Sequence, residues 1–225
     1  MKLNGKQLKE IDENGYIILQ DWFSNEEVNN LRKEMKTVFN EKTEANIVEK
    51  SSGEVRTAMG LHLRSKIFDD LTRHPKFFEP ACQIRGNNLY IQQTKINVKA
   101  AFTGEVWQWH YDFATHSGED GVKEPLALNL HVFLDDVTEF NGPLFFIPKS
   151  HKYGPVPSKL DTLTTSYPLW TVDHENVKKL VKENGIVSAQ GKAGTALIFV
   201  DNLVHGSAQN MSPMDRAIFS AILNS

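Results

Sequence analysis

The stretch VWQWHYDFA, residues 106–114, is rich in aromatic and β-branched side chains, which favour a β-strand. Side chains alternate between the two faces of a strand, so His110 and Asp112 are predicted to share one face. The other face is predicted to carry the aromatic side chains of Trp107, Trp109 and Phe113. This strand would therefore present an imidazole and a carboxylate side by side.

Further strands are predicted along the rest of the chain, separated by Gly, Pro and Asn turns. They cover residues 89–99, 126–136, 144–147, 195–200 and 216–223. Many short strands that follow a helical section indicate a sandwich or jelly roll with helices packed outside it. The predicted fold class is therefore mainly β with flanking α-helices.

Helices are predicted mostly in the first third of the chain. Ser24 and Glu27 form a capping box, and apolar residues recur at helical spacing over residues 25–41. A later short helix is predicted over residues 173–184, closed by Gly185. We expect one domain, residues 1–225, with a helical N-terminal buttress over about 1–86 and a jelly-roll core over about 88–225.

Composition excludes several classes of function. The 225 residues carry a formal net charge of −3 and show no basic run, which argues against a nucleic-acid partner. No stretch approaches the roughly 20 apolar residues of a membrane helix, and the polar first residues do not resemble a signal peptide. The single cysteine, Cys82, excludes an internal disulfide and a thiolate zinc site. These features predict a cytoplasmic location.

A metal site is predicted from His110, Asp112 and the distant His205. Two imidazoles and one carboxylate leave three positions open on an octahedral metal, the arrangement of non-haem Fe(II) oxygenases. The pair His-x-Asp alone is a weak signal, because 8 His and 12 Asp in this chain give about 0.4 such pairs by chance. Each histidine could instead be an ordinary surface or core residue.

Arg216 opens the last predicted strand, where a buried guanidinium must be paired. A dicarboxylate held bidentately would pair it, which predicts an oxygenase that uses 2-oxoglutarate. The alternative is a structural salt bridge with an Asp or Glu. Gln93, Asn97, Asn129 and His131 interrupt apolar strands, which indicates either a polar cavity or a solvated sheet face.

At the level of motifs, the chain resembles the phytanoyl-CoA dioxygenase family, in its branch of ectoine hydroxylase and related amino-acid hydroxylases. The similar segments are YIQQTKIN at 90–97, WHYDFAT at 109–115, EDG at 119–121, NGPL at 141–144 and IPKSH at 147–151. The resemblance runs from about residue 89 to 225, over half the chain. Together these segments are far more specific than the metal motif alone.

The resemblance implies a fold, a cofactor and a cosubstrate. The implied fold is a double-stranded β-helix, a jelly-roll variant that is also called cupin-like. The implied metal is Fe(II), with His110, Asp112 and His205 as ligands. The implied cosubstrates are O2 and 2-oxoglutarate, the latter held by Arg216 with Asn97, Gln93 and Ser207 as helpers.

The substrate side is less determined. The predicted reaction is hydroxylation of a small polar metabolite, a free amino acid or a derivative of one, with ectoine and a carrier- or CoA-linked acid as alternatives. Relatives in the ectoine branch carry an aromatic residue, usually Trp, where this chain has His116, so we expect a different pocket. Candidate substrate residues are Gln93, Thr115, His116, Glu119, Asp120 and Asn129.

Several alternatives stay open. Glu119-Asp120-Gly121 is equally typical of a turn. Residues 153–171 would serve either as a lid or as a packed surface excursion. Two other classes compete with the oxygenase: a zinc hydrolase, which needs a glutamate base beside the ligands, and a non-catalytic jelly-roll module that binds a small molecule. The oligomeric state is not predicted.

Overall fold

The chain folds into thirteen strands and seven α-helices in a computed structural model that describes residues 1–50, 52–164 and 167–225. The strands are β1 (Tyr16–Leu19), β2 (Asn46–Val48), β3 (Val55–Met59), β4 (Tyr90–Lys99), β5 (Trp107–His110), β6 (Leu128–Phe133), β7 (Leu144–Phe146), β8 (Ser158–Asp161), β9 (Leu169–Val172), β10 (Val187–Ala189), β11 (Ala196–Val200), β12 (His205–Ser207) and β13 (Arg216–Asn224). The helices are α1 (Gly5–Asn14), α2 (Asn25–Phe39), α3 (Leu61–Arg64), α4 (Lys66–Thr72), α5 (Pro75–Arg85), α6 (Asp112–Glu119) and α7 (His174–Asn184), with a short 3-10 helix at Ser150–Tyr153.

Two antiparallel sheets form the framework. The larger sheet has the strand order β1-β11-β6-β13-β4-β3-β2, and the smaller has the order β10-β7-β12-β5-β9-β8. All nine residues of β13 are buried, and this strand lies between β4 and β6. The jelly-roll architecture predicted from the sequence is confirmed.

Side-chain alternation on β13 separates an apolar core from a polar interior. Ala217, Phe219 and Ala221 are fully or nearly fully buried and belong to the main hydrophobic core. Phe219 stacks on Phe68 of α4 and on Phe77 of α5, with ring centroids 5.2 and 6.3 Å apart. The alternate residues of β13, beginning with Arg216, therefore point away from the helices and towards the smaller sheet.

The predicted helix starts are confirmed by their caps. The Ser24 hydroxyl accepts a hydrogen bond from the Glu27 amide, and the Glu27 carboxylate accepts one from the Ser24 amide. Asp173 caps α7, and Gly185 follows its last residue. None of the helices in the described ranges is long and apolar enough to cross a membrane.

The N-terminal third is less helical than predicted, because it also contains β1, β2 and β3. These strands have three to five residues, too few for a clear local pattern, and the partners of β1 and β3 lie outside the first third of the chain. Strand β1 pairs with β11, and β3 pairs with β4. We therefore propose that the buttress and the jelly-roll core form one domain, because they share one sheet.

The prediction of a continuous strand over residues 106–114 is wrong. Strand β5 ends at His110, Tyr111 is the residue before the helix, and Asp112 begins α6. The Phe113 amide donates to the Asp201 carbonyl rather than to a strand partner. Strand propensity continues through Phe113, but tertiary hydrogen bonding overrides it, and an acidic residue is favourable in the first helical turn.

The aromatic stack at Phe219 predicts a large loss of stability on truncation. Replacing Phe219 by Ala should lower the free energy of unfolding by about 3–5 kcal/mol, because it leaves a cavity between the larger sheet and α4 and α5. Urea unfolding followed by circular dichroism measures this. Phe140→Ala is the matched control, since Phe140 is 64% exposed and its loss should change stability by less than about 0.5 kcal/mol. Equal effects of the two substitutions would contradict the packing described here.

Candidate metal and cosubstrate site

A polar cavity of about 210 Å³ lies between the two sheets. The larger sheet supplies side chains from the inner faces of β4, β6 and β13, and the smaller sheet supplies side chains from β5 and β12. Helix α6 closes one side with three residues, Asp112, Thr115 and His116, and Asp120 follows just after the helix. The predicted metal ligands and Arg216 all line this one cavity.

His110, Asp112 and His205 converge in the cavity. His110 ends β5 and His205 begins β12, and the antiparallel ladder sets the two residues directly opposite each other. The Oδ1 atom of Asp112 lies 3.6 Å from Nε2 of His110 and 4.0 Å from Nε2 of His205. One ligand atom from each residue lies within 4.8 Å of the other two, so the group could hold one metal ion.

Backbone hydrogen bonds set the tautomer of both histidines. Nδ1 of His110 lies 2.7 Å from the Gln108 carbonyl, and Nδ1 of His205 lies 2.9 Å from the Leu203 carbonyl. A carbonyl only accepts, so each Nδ1 carries the proton and each Nε2 keeps its lone pair for a metal. This donor set suits a divalent ion with nitrogen and oxygen ligands.

Electrostatics keep the ligands in the protonation states that bind a metal. Burial, together with the nearby His110, lowers the pKa of His205 to about 4. Burial alone would raise the pKa of Asp112, but the adjacent His205 and His110 and the charge of Lys95 outweigh it and leave that pKa well below its usual value. At neutral pH the imidazole of His205 is neutral and the carboxylate of Asp112 is ionised, as metal binding requires.

Arg216 is a buried cation without a carboxylate partner. It is 2% exposed, and one guanidinium nitrogen donates to the Gly142 carbonyl at 2.9 Å and to the Ser207 hydroxyl at 3.3 Å. Its Nε is buried without a hydrogen-bond partner, and no Asp or Glu oxygen lies within 4.0 Å of it in the described part of the chain. Burial, together with the nearby Arg56, lowers the pKa of Arg216 to about 9, so the group stays charged at neutral pH. The alternative of a structural salt bridge is therefore wrong.

Comparison with known proteins identifies the family. Residues 11–218 match the family model described as phytanoyl-CoA dioxygenase (PhyH). The chain belongs to the phytanoyl-CoA dioxygenase family.

Relatives in the family share most of this chain. It is 33% identical to an ectoine dioxygenase of Nocardia farcinica over 100% of this chain and 78% of the relative. It is 32% identical to an L-proline trans-4-hydroxylase of Streptomyces griseoviridis over 93% of this chain and 82% of the relative. These matches confirm the resemblance seen in the sequence motifs.

Solved structures agree with the sequence relatives. The structure of EctD from S. alaskensis with 2-oxoglutarate and 5-hydroxyectoine superposes with a TM-score of 0.86 at 31% identity, covering 99% of this chain and 76% of that one. The same enzyme with bound Fe superposes with a TM-score of 0.87 at 31% identity, covering 99% and 77%. The dioxygenase fold therefore extends over the whole length of this chain.

The predicted cosubstrate helpers differ in where they lie. Gln93 and Asn97 are on the inner face of β4 and line the cavity. The Asn97 carbonyl oxygen accepts a hydrogen bond from the Thr57 hydroxyl at 2.8 Å, which fixes the amide. Ser207 is buried behind the cavity wall and does not line the cavity. Its hydroxyl contacts the Gly142 carbonyl and the Arg216 guanidinium, so it supports Arg216 rather than facing the cavity itself.

Most of the predicted substrate residues line the cavity as well. Thr115, His116, Asp120 and Asn129 do so together with Gln93. Glu119 is the exception, because it is exposed and accepts a hydrogen bond from the Trp170 indole at 3.1 Å instead. Glu119 ends α6 and Asp120 follows it, so the turn at Glu119-Asp120-Gly121 closes a helix rather than a strand.

Several residues that line this cavity have buried polar atoms without partners. In the described residues they include Oε1 of Gln93, Oγ1 of Thr115, Nδ2 of Asn129, Nδ1 of His131 and Nε of Arg216, and all five residues line the cavity. Asn129 and His131 are buried on a strand without a solvated face, so a solvated sheet does not explain them. Burying a polar atom without a partner is costly, so these atoms indicate a polar ligand.

The position of Trp107 in the cavity lining was not predicted, because strand alternation placed its side chain on the face opposite to His110. The pairing of β5 with β12 explains the difference. His110 lies opposite His205 and Trp107 opposite Ser207, so three steps on β5 match two on β12. This irregularity breaks the alternation and turns both Trp107 and His110 inward.

Further cavity residues were not predicted, because no local sequence pattern marks them as part of the cavity. Lys95 lies between Gln93 and Asn97 on the same face of β4. Trp107 packs against Tyr167 with ring centroids 5.0 Å apart, and the Arg56 guanidinium lies 3.8 Å from a Trp107 ring centroid. Tyr167 brings part of segment 153–171 to the cavity, while residues 165 and 166 of that segment lie outside the described residues. Only spatial packing reveals these contacts.

The converging ligands predict that Asp112→Ala weakens metal binding. The affinity for Fe(II), titrated without oxygen, should fall by more than the roughly 10- to 100-fold that loss of an outer-shell partner costs. Asp70→Ala is the matched control, because Asp70 is exposed and pairs only with the surface residue Lys66. An Asp112→Ala protein that binds Fe(II) as tightly as the unmodified protein would show that this carboxylate is not a ligand.

Proposed function

We propose that this protein is an Fe(II)- and 2-oxoglutarate-dependent dioxygenase that hydroxylates a free amino acid or a close derivative. The observation that carries the proposal is that one cavity contains two kinds of group. One is the set of two histidines and one aspartate that could hold a metal, and the other is the guanidinium of Arg216, which has no carboxylate partner in the described part of the chain. A metal site alone would suit many enzymes. The buried, partly unsatisfied guanidinium beside it favours a cosubstrate with a carboxylate.

In this proposal His110, Asp112 and His205 hold Fe(II) on one side and leave its other side open to the cavity. The bound iron, 2-oxoglutarate and O2 together supply the oxidant for an unactivated C–H bond. The protein places that bond near the metal and keeps out competing reactants. The fixed Nδ1 protons of both histidines hold the rings in the orientation that this task needs.

Arg216 would receive the distal carboxylate of 2-oxoglutarate. Gly142 and Ser207 orient one edge of its guanidinium, and Nε is left for the ligand. Gln93 and Asn97 line the same cavity and are the proposed helpers. A carboxylate here would satisfy a buried charge that the described residues leave without a counter-ion.

A small zwitterion suits the rest of the cavity. Lys95 and Asp120 put charges of opposite sign on its lining, and the volume of about 210 Å³ lies below the range for drug-sized ligands. Two of the relatives carry the names ectoine dioxygenase and L-proline trans-4-hydroxylase. Ectoine is therefore the second candidate, whereas a CoA-linked acid has less support from this lining.

The other classes of function have weaker support. A zinc hydrolase would use a glutamate as base, and no glutamate lines the cavity within the described ranges. A purely binding module would have no need of a metal group with an open side. We further propose a cytoplasmic location, where reducing conditions suit the lone Cys82.

Turnover is the direct test. Purified protein with Fe(II), ascorbate and 2-oxoglutarate is incubated with the protein amino acids and ectoine, and succinate and a product heavier by one oxygen atom are measured. We expect one or a few amino acids to raise succinate and to gain oxygen in equal amounts. Bound Fe(II) with no succinate from any mixture would contradict the dioxygenase proposal. Turnover of ectoine alone would favour the second candidate.

The role of Arg216 predicts a change confined to the cosubstrate. Arg216→Lys keeps the charge but loses the planar pair of donors, so the KM for 2-oxoglutarate should rise about 10-fold or more. Arg73→Lys is the matched control, because Arg73 is exposed and pairs with Asp69 on the surface. An unchanged KM for 2-oxoglutarate in Arg216→Lys would make the residue structural.

A further inference from the structure

His116 and Asp201 form a buried pair at the edge of the cavity. Nδ1 of His116 lies 2.9 Å from Oδ1 of Asp201, and the two side chains are 5% and 0% exposed. His116 lies in the last turn of α6, and Asp201 follows β11. The pair thus joins the helix that carries Asp112 to the loop that leads to His205.

The pair fixes which nitrogen of His116 is available. Nδ1 is the nitrogen that faces the Asp201 carboxylate, at an ion-pair distance of 2.9 Å, although the two atoms are not aligned as a hydrogen bond. Nε2, on the opposite edge of the ring, has no hydrogen-bond or ion-pair partner in the part of the chain that the structure describes. Because the buried His116 lines the cavity, Nε2 is the polar atom that it offers to a ligand.

The charges around His116 favour its protonated form. Burial alone would lower its pKa, but Asp201 and then Asp112 outweigh burial and the opposing charge of Lys95, so the pKa is raised. In its protonated form His116 would face Asp201 with Nδ1 as an ion pair and would have an N–H at Nε2 to donate to a ligand. Lys95 adds a second cation to the lining, from β4.

The carboxylate of Asp120 lies about one helical turn after His116. Asp120 lies four residues after His116, lines the same cavity and is exposed at its rim. The Asp120 amide donates to the His116 carbonyl at 3.1 Å, so the backbone holds the two residues together. The end of α6 therefore offers a donor inside the cavity and an acceptor at its rim.

Building on the proposed function, we propose that His116, held by Asp201, receives the carboxylate of the substrate, and that Asp120 receives its amino or imino group. The substrate class is then an α-amino or α-imino acid with a free carboxylate. Arg216, on β13, would take the carboxylate of the cosubstrate, so the cavity would hold two separate carboxylate receptors. His116 acts as a residue that determines specificity, and Asp201 as a residue that positions it.

The test compares each acid with its own carboxamide. L-proline, the other protein amino acids and ectoine are assayed beside their carboxamides, with kcat and KM measured separately through succinate formation. In the unmodified protein the amide should have a KM about 10- to 100-fold above that of the acid, the range of a charge-assisted hydrogen bond. In His116→Gln the KM values of the acid and the amide should become nearly equal, while kcat should change less than KM.

Two further variants make the test specific. Asp201→Asn keeps the size of the side chain but removes its charge, so it should also reduce the preference for the acid. Anaerobic calorimetry of L-proline binding to the protein loaded with Fe(II) and 2-oxoglutarate gives an independent measure of the same loss. His174→Gln is the matched control, because His174 is exposed at the start of α7 and lies away from the cavity.

The outcomes distinguish this inference from the proposed function. An unmodified protein that forms no succinate from 2-oxoglutarate under any condition would overturn the dioxygenase itself. A protein that forms succinate but prefers no acid over its amide would overturn only the carboxylate receptor. A preference that His116→Gln leaves intact would also overturn it, and this holds even where Asp201→Asn does not fold.

Discussion

The antiparallel contact between β5 and β12 is the constraint on which the site depends. It sets His110 opposite His205, and the break in its register turns Trp107 to the same side. The chain then starts α6 two residues after His110, which brings the Asp112 carboxylate to both imidazoles. Each ligand sits at the end of a regular element, so the framework of the sheets holds the site rigidly.

Buried cations behind the cavity are satisfied in three different ways. Arg56 has ion pairs with Glu105 at 2.8 Å and Glu49 at 3.5 Å. Lys99 donates to the backbone carbonyls of Glu105, Ser207 and Ala208, and burial lowers its pKa well below the usual value. Of these three cations, Arg216 alone has no carboxylate partner in the described part of the chain and keeps a free donor, so a ligand carboxylate would lower the cost of its burial.

Local sequence patterns correctly predicted the features that depend on residues close together in the chain, such as strand faces and helix starts. The alternation of β4 placed Gln93 and Asn97 on one face, and capping residues located the starts of α2 and α7. Pairings over long distances along the chain could not be predicted in this way. Strand β1 joins β11 from the other end of the chain, and Asp201 meets His116 only in the folded protein.

The wrong prediction of a strand at residues 111–114 does not affect the metal ligands, but it changes which residues lie near the substrate. As a strand, the six residues from His110 to His116 would span about 20 Å, which places His116 far from the metal. As a helix, the four residues from Asp112 to His116 rise only about 6 Å. Thr115 and His116 then lie three and four residues after Asp112, on one face of α6. The helix therefore brings Thr115 and His116 to the same cavity as the metal ligands.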